Sequence, residues 1–333
     1  MKIIVDENIP YIRGRFGAGC DIAYIDQDDF TPERVRDADA LLVRTRTRCN
    51  ADLLGGSRVR FVGTGTIGTD HLDLPWLRAN GITAVNAPGC NAPGVAQYVW
   101  SALLRLGFEP ATDRLGVVGC GNIGSIVKAW GENMGTEVWV SDPPKERAGV
   151  PGEYHTLDDI MAGCRAVTFH TPLTHTGRDA TYHLASDREL EMMGENRILI
   201  NAARGPVVDN EALLRRIKSD PTLRVALDVW EGEPTVNREL LELVDYGTFH
   251  IAGYSRQGKE RATRMLLEAL QAHSGIPMDT SGLEPAYDLA TAVFPTAQRI
   301  SASYDPAVDT AQLRRNPEKF EKLRHDYDYR PEA

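Results

Sequence analysis

Three short stretches of this 333-residue chain carry side chains able to move a proton and grip an anion: NAARGPVVD (201–209), DVWEGEP (228–234) and FHIAGY (249–254). They supply Arg204, Glu233 and His250. An imidazole exchanges its proton near neutral pH, a carboxylate can partner it, and a planar guanidinium holds an anionic group through paired hydrogen bonds. Singly, each has an ordinary explanation, since most arginines are surface charge and most lone histidines are structural. Here each stands at or just past the end of a predicted strand, and three successive strands are involved. Ligands of open α/β sheets bind at the carboxyl edge, so the three are read together as one constellation.

A second motif precedes them. LGVVGCGNIGSIVKAWGENMG (115–135) holds Gly119, Gly121 and Gly124 as G-x-G-x-x-G, with Asn122 and Ile123 between. The pattern alone is weak evidence. It gains weight because an apolar strand precedes it and a helical stretch follows, which is the setting of a dinucleotide fingerprint. The first glycine permits the turn, the second lets backbone approach a pyrophosphate, and the third lets helix and strand pack. EVWVSD ends on Asp142, 18 residues beyond Gly124. An acidic residue there accepts from ribose hydroxyls and repels a 2′-phosphate, so NAD is favoured over NADP. Lys145 and Arg147 stand close by and weigh the other way.

The elements positioning these residues alternate. Residues 2–5, 21–25, 40–43, 59–62 and 82–85 read as buried strands, with helices over 32–38 and 71–80. A helix is expected over 91–107. A second strand series follows at 115–118, 137–140, 166–169, 197–201, 224–228 and 248–251. Its helices fall at 122–134, 157–163, 186–193 and 209–218, and a long helix covers 256–273. Such alternation predicts an α/β, doubly wound architecture. The two long helices bracketing the second series suggest an inserted domain.

Composition narrows the classes. The net charge is −10, which disfavours general nucleic-acid or anionic-membrane binding. Five cysteines without a C-x-x-C pair fit free thiols in a reducing compartment. No apolar run approaches the ~20 residues of a membrane span. The expectation is a cytoplasmic protein with no nucleic-acid or membrane partner. The eight histidines show no metal-ligand spacing, and no metal is expected.

Over residues 1 to about 280 the chain resembles the D-2-hydroxyacid dehydrogenase family. VDENIP, FVGTGTIGTDHLD (61–73), NAPGCNAPGVAQYVW (86–100), DVWEGEP and HIAGYSRQGK (250–259) carry the resemblance. It implies a flavodoxin-like substrate lobe (1–92 and 254–283), a Rossmann NAD lobe (93–253), and a shortened C-terminal dimerisation segment (284–333) that makes a homodimer. It further implies that His250 is the acid/base, that Glu233 orients it and raises its pKa, and that Arg204 anchors the substrate carboxylate. By the same resemblance Thr171, Ala202, Ala203, Arg204, Asp228 and Gly253 join the glycine loop and Asp142 in contacting NAD.

The matching subgroup acts on a small phosphorylated 2-hydroxy acid, a four-carbon acid negative at both ends. That gives LLVRTRTRCN (41–50) a purpose. The resemblance places Arg44 and Thr45 at the substrate, with Thr66 and Tyr254 as further contacts. Arg44 is expected to bind the phosphate. In an extended chain Arg46 and Arg48 would share its side, Arg46 either assisting or solvated and Arg48 solvated. The alternatives are a dehydrogenase of phosphoglycerate or glycerate, and a non-catalytic NAD-sensing interaction protein. Read without the resemblance, RRNPEKFEKLRHDYDYRPEA (314–333) is a solvated tail.

Overall fold

The computed structural model describes residues 1 to 333. The chain forms two compact units, one of residues 1–91 and 255–288, the other of residues 92–254 and 289–333.

In the first unit, strands β1 (Lys2–Asp6), β2 (Asp21–Ile25), β3 (Ala40–Val43), β4 (Phe61–Thr64) and β5 (Thr83–Val85) form a parallel sheet. Its order is β2-β1-β3-β4-β5, the flavodoxin-like 2-1-3-4-5. The strand ALLV is buried throughout because both faces are covered. Ala40 and Leu42 pack with Phe61, Leu266, Leu267 and Leu270. Leu41 and Val43 pack on the other side with Val35, Leu53 and Leu77. Period-two geometry thus sorts a continuous apolar run into two cores.

The second unit holds β6 (Arg114–Val118), β7 (Glu137–Ser141), β8 (Ala166–Phe169), β9 (Ile198–Asn201), β10 (Arg224–Leu227) and β11 (Tyr246–Gly247). All pair parallel, in the order β11-β10-β9-β8-β6-β7. β6 lies between β7 and β8, so the winding reverses there and opens a crevice at its carboxyl end. The helix Ala92–Arg105 is buried from Ala92 through Leu103. Trp100 donates its indole N–H to the Val127 carbonyl at 3.0 Å, joining that helix to the one following the glycine loop.

Three sequence expectations need correction. TFHI (248–251) is not a strand; the ladder ends at Gly247, and His250 turns into the left-handed region at φ 61°. After Val43 the backbone does not stay extended. The Thr47 N–H donates to the Arg44 carbonyl at 3.2 Å, so Arg44, Arg46 and Arg48 do not line one side of a strand. Nor is the C-terminal run a solvated tail. With the residues before it, it belongs to a set of helices, Ala297–Ser303, Pro306–Arg315 and Phe320–His325, and Ile300, Leu313, Phe320 and, beyond the last helix, Arg330 are buried. The Gly247 N–H donates to Thr310 Oγ1 at 3.0 Å, so the helix Pro306–Arg315 covers the exposed edge of β11.

Candidate active site

Every predicted site residue of the second unit lies past the carboxyl end of a strand or beside one. Gly119 follows β6, Asp142 follows β7 and Thr171 follows β8, while Ala202, Ala203 and Arg204 follow β9. Asp228 follows β10, and His250 follows β11.

Glycine positions show what the loop after β6 accommodates. Gly119 has φ +87°, and a Cβ there would sit 2.9 Å from the His170 carbonyl carbon. A Cβ on Gly124 would lie 2.1 Å from the Gly119 carbonyl oxygen. At Gly121 a Cβ would meet nothing within 4 Å. Two glycines therefore answer to packing, whereas the middle one leaves space over the N-terminus of the helix Asn122–Asn133. That helix has no side-chain cap, so its free N–H groups face an anion's place. Asp142 accepts from the Cys120 N–H at 2.8 Å and the Lys145 N–H at 3.1 Å. Each oxygen keeps a lone pair for a ribose hydroxyl. Lys145 Nζ donates to the Cys120 carbonyl at 2.5 Å, and Arg147 is paired with Asp179, so both nearby cations are engaged. Thr171 Oγ1 is buried with no hydrogen-bond partner. An open glycine, uncapped amides, an acidic strand end and an orphan hydroxyl fit a bound dinucleotide.

The proton-handling pair is well formed. His250 Nδ1 meets Glu233 Oε2 at 2.8 Å, and Glu233 Oε1 accepts the Trp230 N–H at 2.7 Å. Burial pushes Glu233 up, but His250, the Trp230 amide and Arg324 outweigh it and hold the carboxyl below its ordinary value. An ionised carboxylate only accepts, so Nδ1 carries the hydrogen and Nε2 is the ring nitrogen left for other chemistry. The two side chains are 30% and 21% exposed, open enough for a small molecule to reach.

Arg204 is half-buried, with Nη1 donating to the Ala203 carbonyl at 2.8 Å. Its loop is shaped by Asn201, whose amide donates to the Arg204 carbonyl at 2.9 Å and whose oxygen accepts the Ala203 N–H at 3.1 Å. A Cβ on Gly205 would fall 2.0 Å from the Trp230 carbonyl oxygen, so the Arg204 and Glu233 loops pack backbone to backbone. Asp228 is 1% exposed, not the exposed carboxylate that a strand end alone suggests. Its Oδ1 accepts from Thr248 and the Ile251 N–H, and Oδ2 from the Ala252 N–H, at 2.7–2.8 Å.

His183, Asp209 and Glu231 bring ligand-type atoms within 4.8 Å of one another. His183 Nε2 lies 2.8 Å from Glu231, and its Nδ1 lies 3.5 Å from Asp209. Glu231 also accepts the Asn210 N–H at 2.9 Å. With both ring nitrogens turned to carboxylates, this is a hydrogen-bonded brace for the 231–233 turn.

In the first unit, Arg44 and Thr45 follow β3, and Thr66 follows the neighbouring β4. Thr66 Oγ1 pairs with Thr64 Oγ1 at 2.9 Å, and Thr64 in turn meets His71 Nε2 at 3.1 Å. Asp6, at the end of β1, feels the Arg44 charge.

Sequence reading missed Asn201, Arg324 and Arg330. Asn201 was findable as a polar residue closing the apolar strand RILIN. The two arginines sit in a charged run that gives no such signal.

The family model for "D-isomer specific 2-hydroxyacid dehydrogenase, NAD binding domain" matches residues 93–254. The chain belongs to that family and is an NAD-dependent dehydrogenase. Among its relatives, the erythronate-4-phosphate dehydrogenase of Bacteroides fragilis is 44% identical over 340 residues, covering 100% of this chain and 97% of that protein. The erythronate-4-phosphate dehydrogenase of Cronobacter sakazakii is 43% identical over 348 residues, covering 100% and 92%. Among solved structures, the Aquifex aeolicus D-lactate dehydrogenase complexed with NAD and lactic acid is similar at TM-score 0.63 and 22% identity, covering 83% of this chain and 96% of that one. The NAD-bound 3-phosphoglycerate dehydrogenase of Entamoeba histolytica reaches 0.66 at 21% identity, covering 89% and 99%. These two likenesses establish the fold.

Proposed function

We propose that the chain oxidises the 2-hydroxyl of 4-phospho-D-erythronate with NAD, giving (R)-3-hydroxy-2-oxo-4-phosphooxybutanoate, a step of pyridoxal 5′-phosphate biosynthesis. The observation that carries the chemistry is the 2.8 Å contact between His250 Nδ1 and Glu233, which leaves Nε2 free to take a proton. The observation that carries the substrate is identity of 43–44% to erythronate-4-phosphate dehydrogenases over the whole chain.

His250 Nε2 accepts the hydroxyl proton as the C2–O bond becomes a carbonyl. Glu233 keeps the ring oriented and stabilises the imidazolium. Arg204 holds the carboxylate end through its planar fork, and Arg44 takes the phosphate, with Thr45, Thr66 and Tyr254 completing substrate contacts. NAD, when bound, supplies the hydride acceptor. The glycine loop and Asp142 hold its pyrophosphate and ribose, Thr171 and residues 202–204 flank it, and Gly253 adds backbone. Asp228 Oδ2 retains a lone pair for the nicotinamide carboxamide. A homodimer in the cytoplasm, free of nucleic acid and membrane, completes the proposal; no helix is long and apolar enough to cross a membrane.

The test is a panel of 2-hydroxy acids with and without phosphate, followed by reduction of NAD. Preference for 4-phospho-D-erythronate is expected. Faster turnover of phosphoglycerate or glycerate would replace the substrate assignment, and no turnover on any acid would leave an NAD-sensing role.

A further inference from the structure

Arg330 belongs to the C-terminal run, outside the family match, yet the residue is only 7% exposed. Its guanidinium lies over the Tyr304 ring, 4.3 Å from the centroid. Nε donates to Gln97 Oε1 at 3.2 Å, and Nη2 donates to the Gly94 carbonyl at 3.1 Å. The remaining donors converge on one segment. Nη1 reaches the Ile251 carbonyl at 2.9 Å and the Tyr254 carbonyl at 3.4 Å, and Nη2 reaches the Ala252 carbonyl. Nη1 also meets the Tyr327 hydroxyl at 3.4 Å. No carboxylate bonds this guanidinium directly, so a buried charge is held almost wholly by carbonyl dipoles.

Residues 251–254 are the turn that leaves His250. Their backbone is gripped from two sides: the amides of Ile251 and Ala252 by Asp228, and the carbonyls of 251, 252 and 254 by Arg330. The turn needs such support. His250 adopts φ 61°, a conformation strained for a non-glycine residue that persists only where surroundings over-determine it. A tail anchor could use any surface carbonyls. These carbonyls set where the His250 ring and the Tyr254 side chain begin.

We propose that Arg330 is a positioning residue for the reaction, an inference that rests on the function proposed above. Its guanidinium fixes the 250–254 turn so that His250 keeps its bond to Glu233 and Tyr254 its place at the substrate. The C-terminal segment is thereby part of the catalytic apparatus as well as a cover for β11.

The test compares Arg330→Ala, Arg330→Lys and Arg314→Ala in the full chain with NAD, well below each melting temperature. Arg314 anchors the same segment, donating to the Leu241 carbonyl at 3.1 Å, away from the turn. Arg330→Ala is expected to lose about 100-fold in kcat, the order of effect of a misplacement near 1 Å. Arg330→Lys is expected to recover little, since an ammonium cannot span the fork of acceptors. Arg314→Ala should lower the melting temperature and leave kcat unchanged. Methylguanidinium, and not methylammonium, should restore Arg330→Ala. Unchanged kcat in both Arg330 variants, or equal losses in Arg330→Ala and Arg314→Ala, would overturn the role. If the unaltered protein fails to turn over 4-phospho-D-erythronate, the substrate assignment is what fails. The positioning role is then read from the downfield proton resonance of His250 Nδ1–H, which should vanish in Arg330→Ala; its persistence would overturn the inference.

Discussion

Replacing Glu233 by glutamine changes one donor–acceptor relation and almost no volume. The carboxylate accepts twice, from the Trp230 N–H at 2.7 Å and from His250 Nδ1–H at 2.8 Å. An amide offers one oxygen and one NH₂. Trp230 is 2% exposed, so facing its N–H with another donor would strand a buried group at a cost of about 1–3 kcal/mol. The amide oxygen therefore goes to Trp230 and the NH₂ faces His250. The imidazole must then accept at Nδ1 and carry its hydrogen on Nε2, the atom assigned to receive the substrate proton. Losing a charged hydrogen bond worth about 1.5–3 kcal/mol already implies roughly a 10–100-fold slower step at 1.36 kcal/mol per decade. The wrong tautomer adds to that, and the loss of positioned proton transfer is typically ~10²–10⁴. Glu233→Gln should thus lower kcat about 10²–10⁴-fold with KM little changed, measured by initial rates of NAD reduction. A glutamine enzyme with normal kcat would refute the assignment of the proton to Nε2.

Other expectations follow from the same geometry. Arg44→Ala should raise KM for 4-phospho-D-erythronate far more than for an unphosphorylated analogue in steady-state assays; equal losses would remove its phosphate role. Gly121→Ala and Gly124→Ala should separate ligand space from packing. The first adds a methyl in open space and should weaken NAD binding in a tryptophan-fluorescence titration while sparing the melting temperature. The second collides with the Gly119 carbonyl and should destabilise by about 1–3 kcal/mol as well. Burial pushes the Cys49 and Cys164 thiols up to about 12, so neither should react with a thiol reagent at pH 8 in the native protein. Rapid modification of either, mapped by mass spectrometry, would contradict that burial. Burial pushes His170 down to about 3. The unfolded chain takes up that proton below about pH 6.5 and the folded one refuses it, so this group lowers stability as pH falls from there toward 3. His170→Gln should flatten that part of the urea-stability profile.

The strands were legible where burial on both faces writes an uninterrupted apolar run. ALLV and AVTF are bounded to the residue; in the second even the one polar residue, Thr168, is buried. The glycine loop was legible because two of its glycines answer to backbone collisions that hold whatever else the chain does. The last strand was misread for the complementary reason. Phe249 and Ile251 are fully buried and flank His250 with the alternation of a strand, yet the Ile251 amide and carbonyl go to Asp228 and Arg330 rather than to a ladder. Periodicity reports burial, and burial was correctly inferred; it does not report which partners take the backbone.

The turn after Gly247 also explains why the site's residue types could be read but not their mounting. A left-handed histidine is uncommon, and no glycine or asparagine at the position announces the turn. Its conformation is bought by a carboxylate at the end of β10 and a guanidinium 80 residues further along the chain from His250. Arginine is among the residues least often buried, so RRNPEKFEKLRHDYDYRPEA offered no reason to look for a core side chain in it. Where a reactive side chain depends on a strained turn, the groups that hold the turn are selected by tertiary geometry alone. Mutations in a charged terminal run should therefore act on kcat whenever they touch residues 250–254, and on stability alone when they do not.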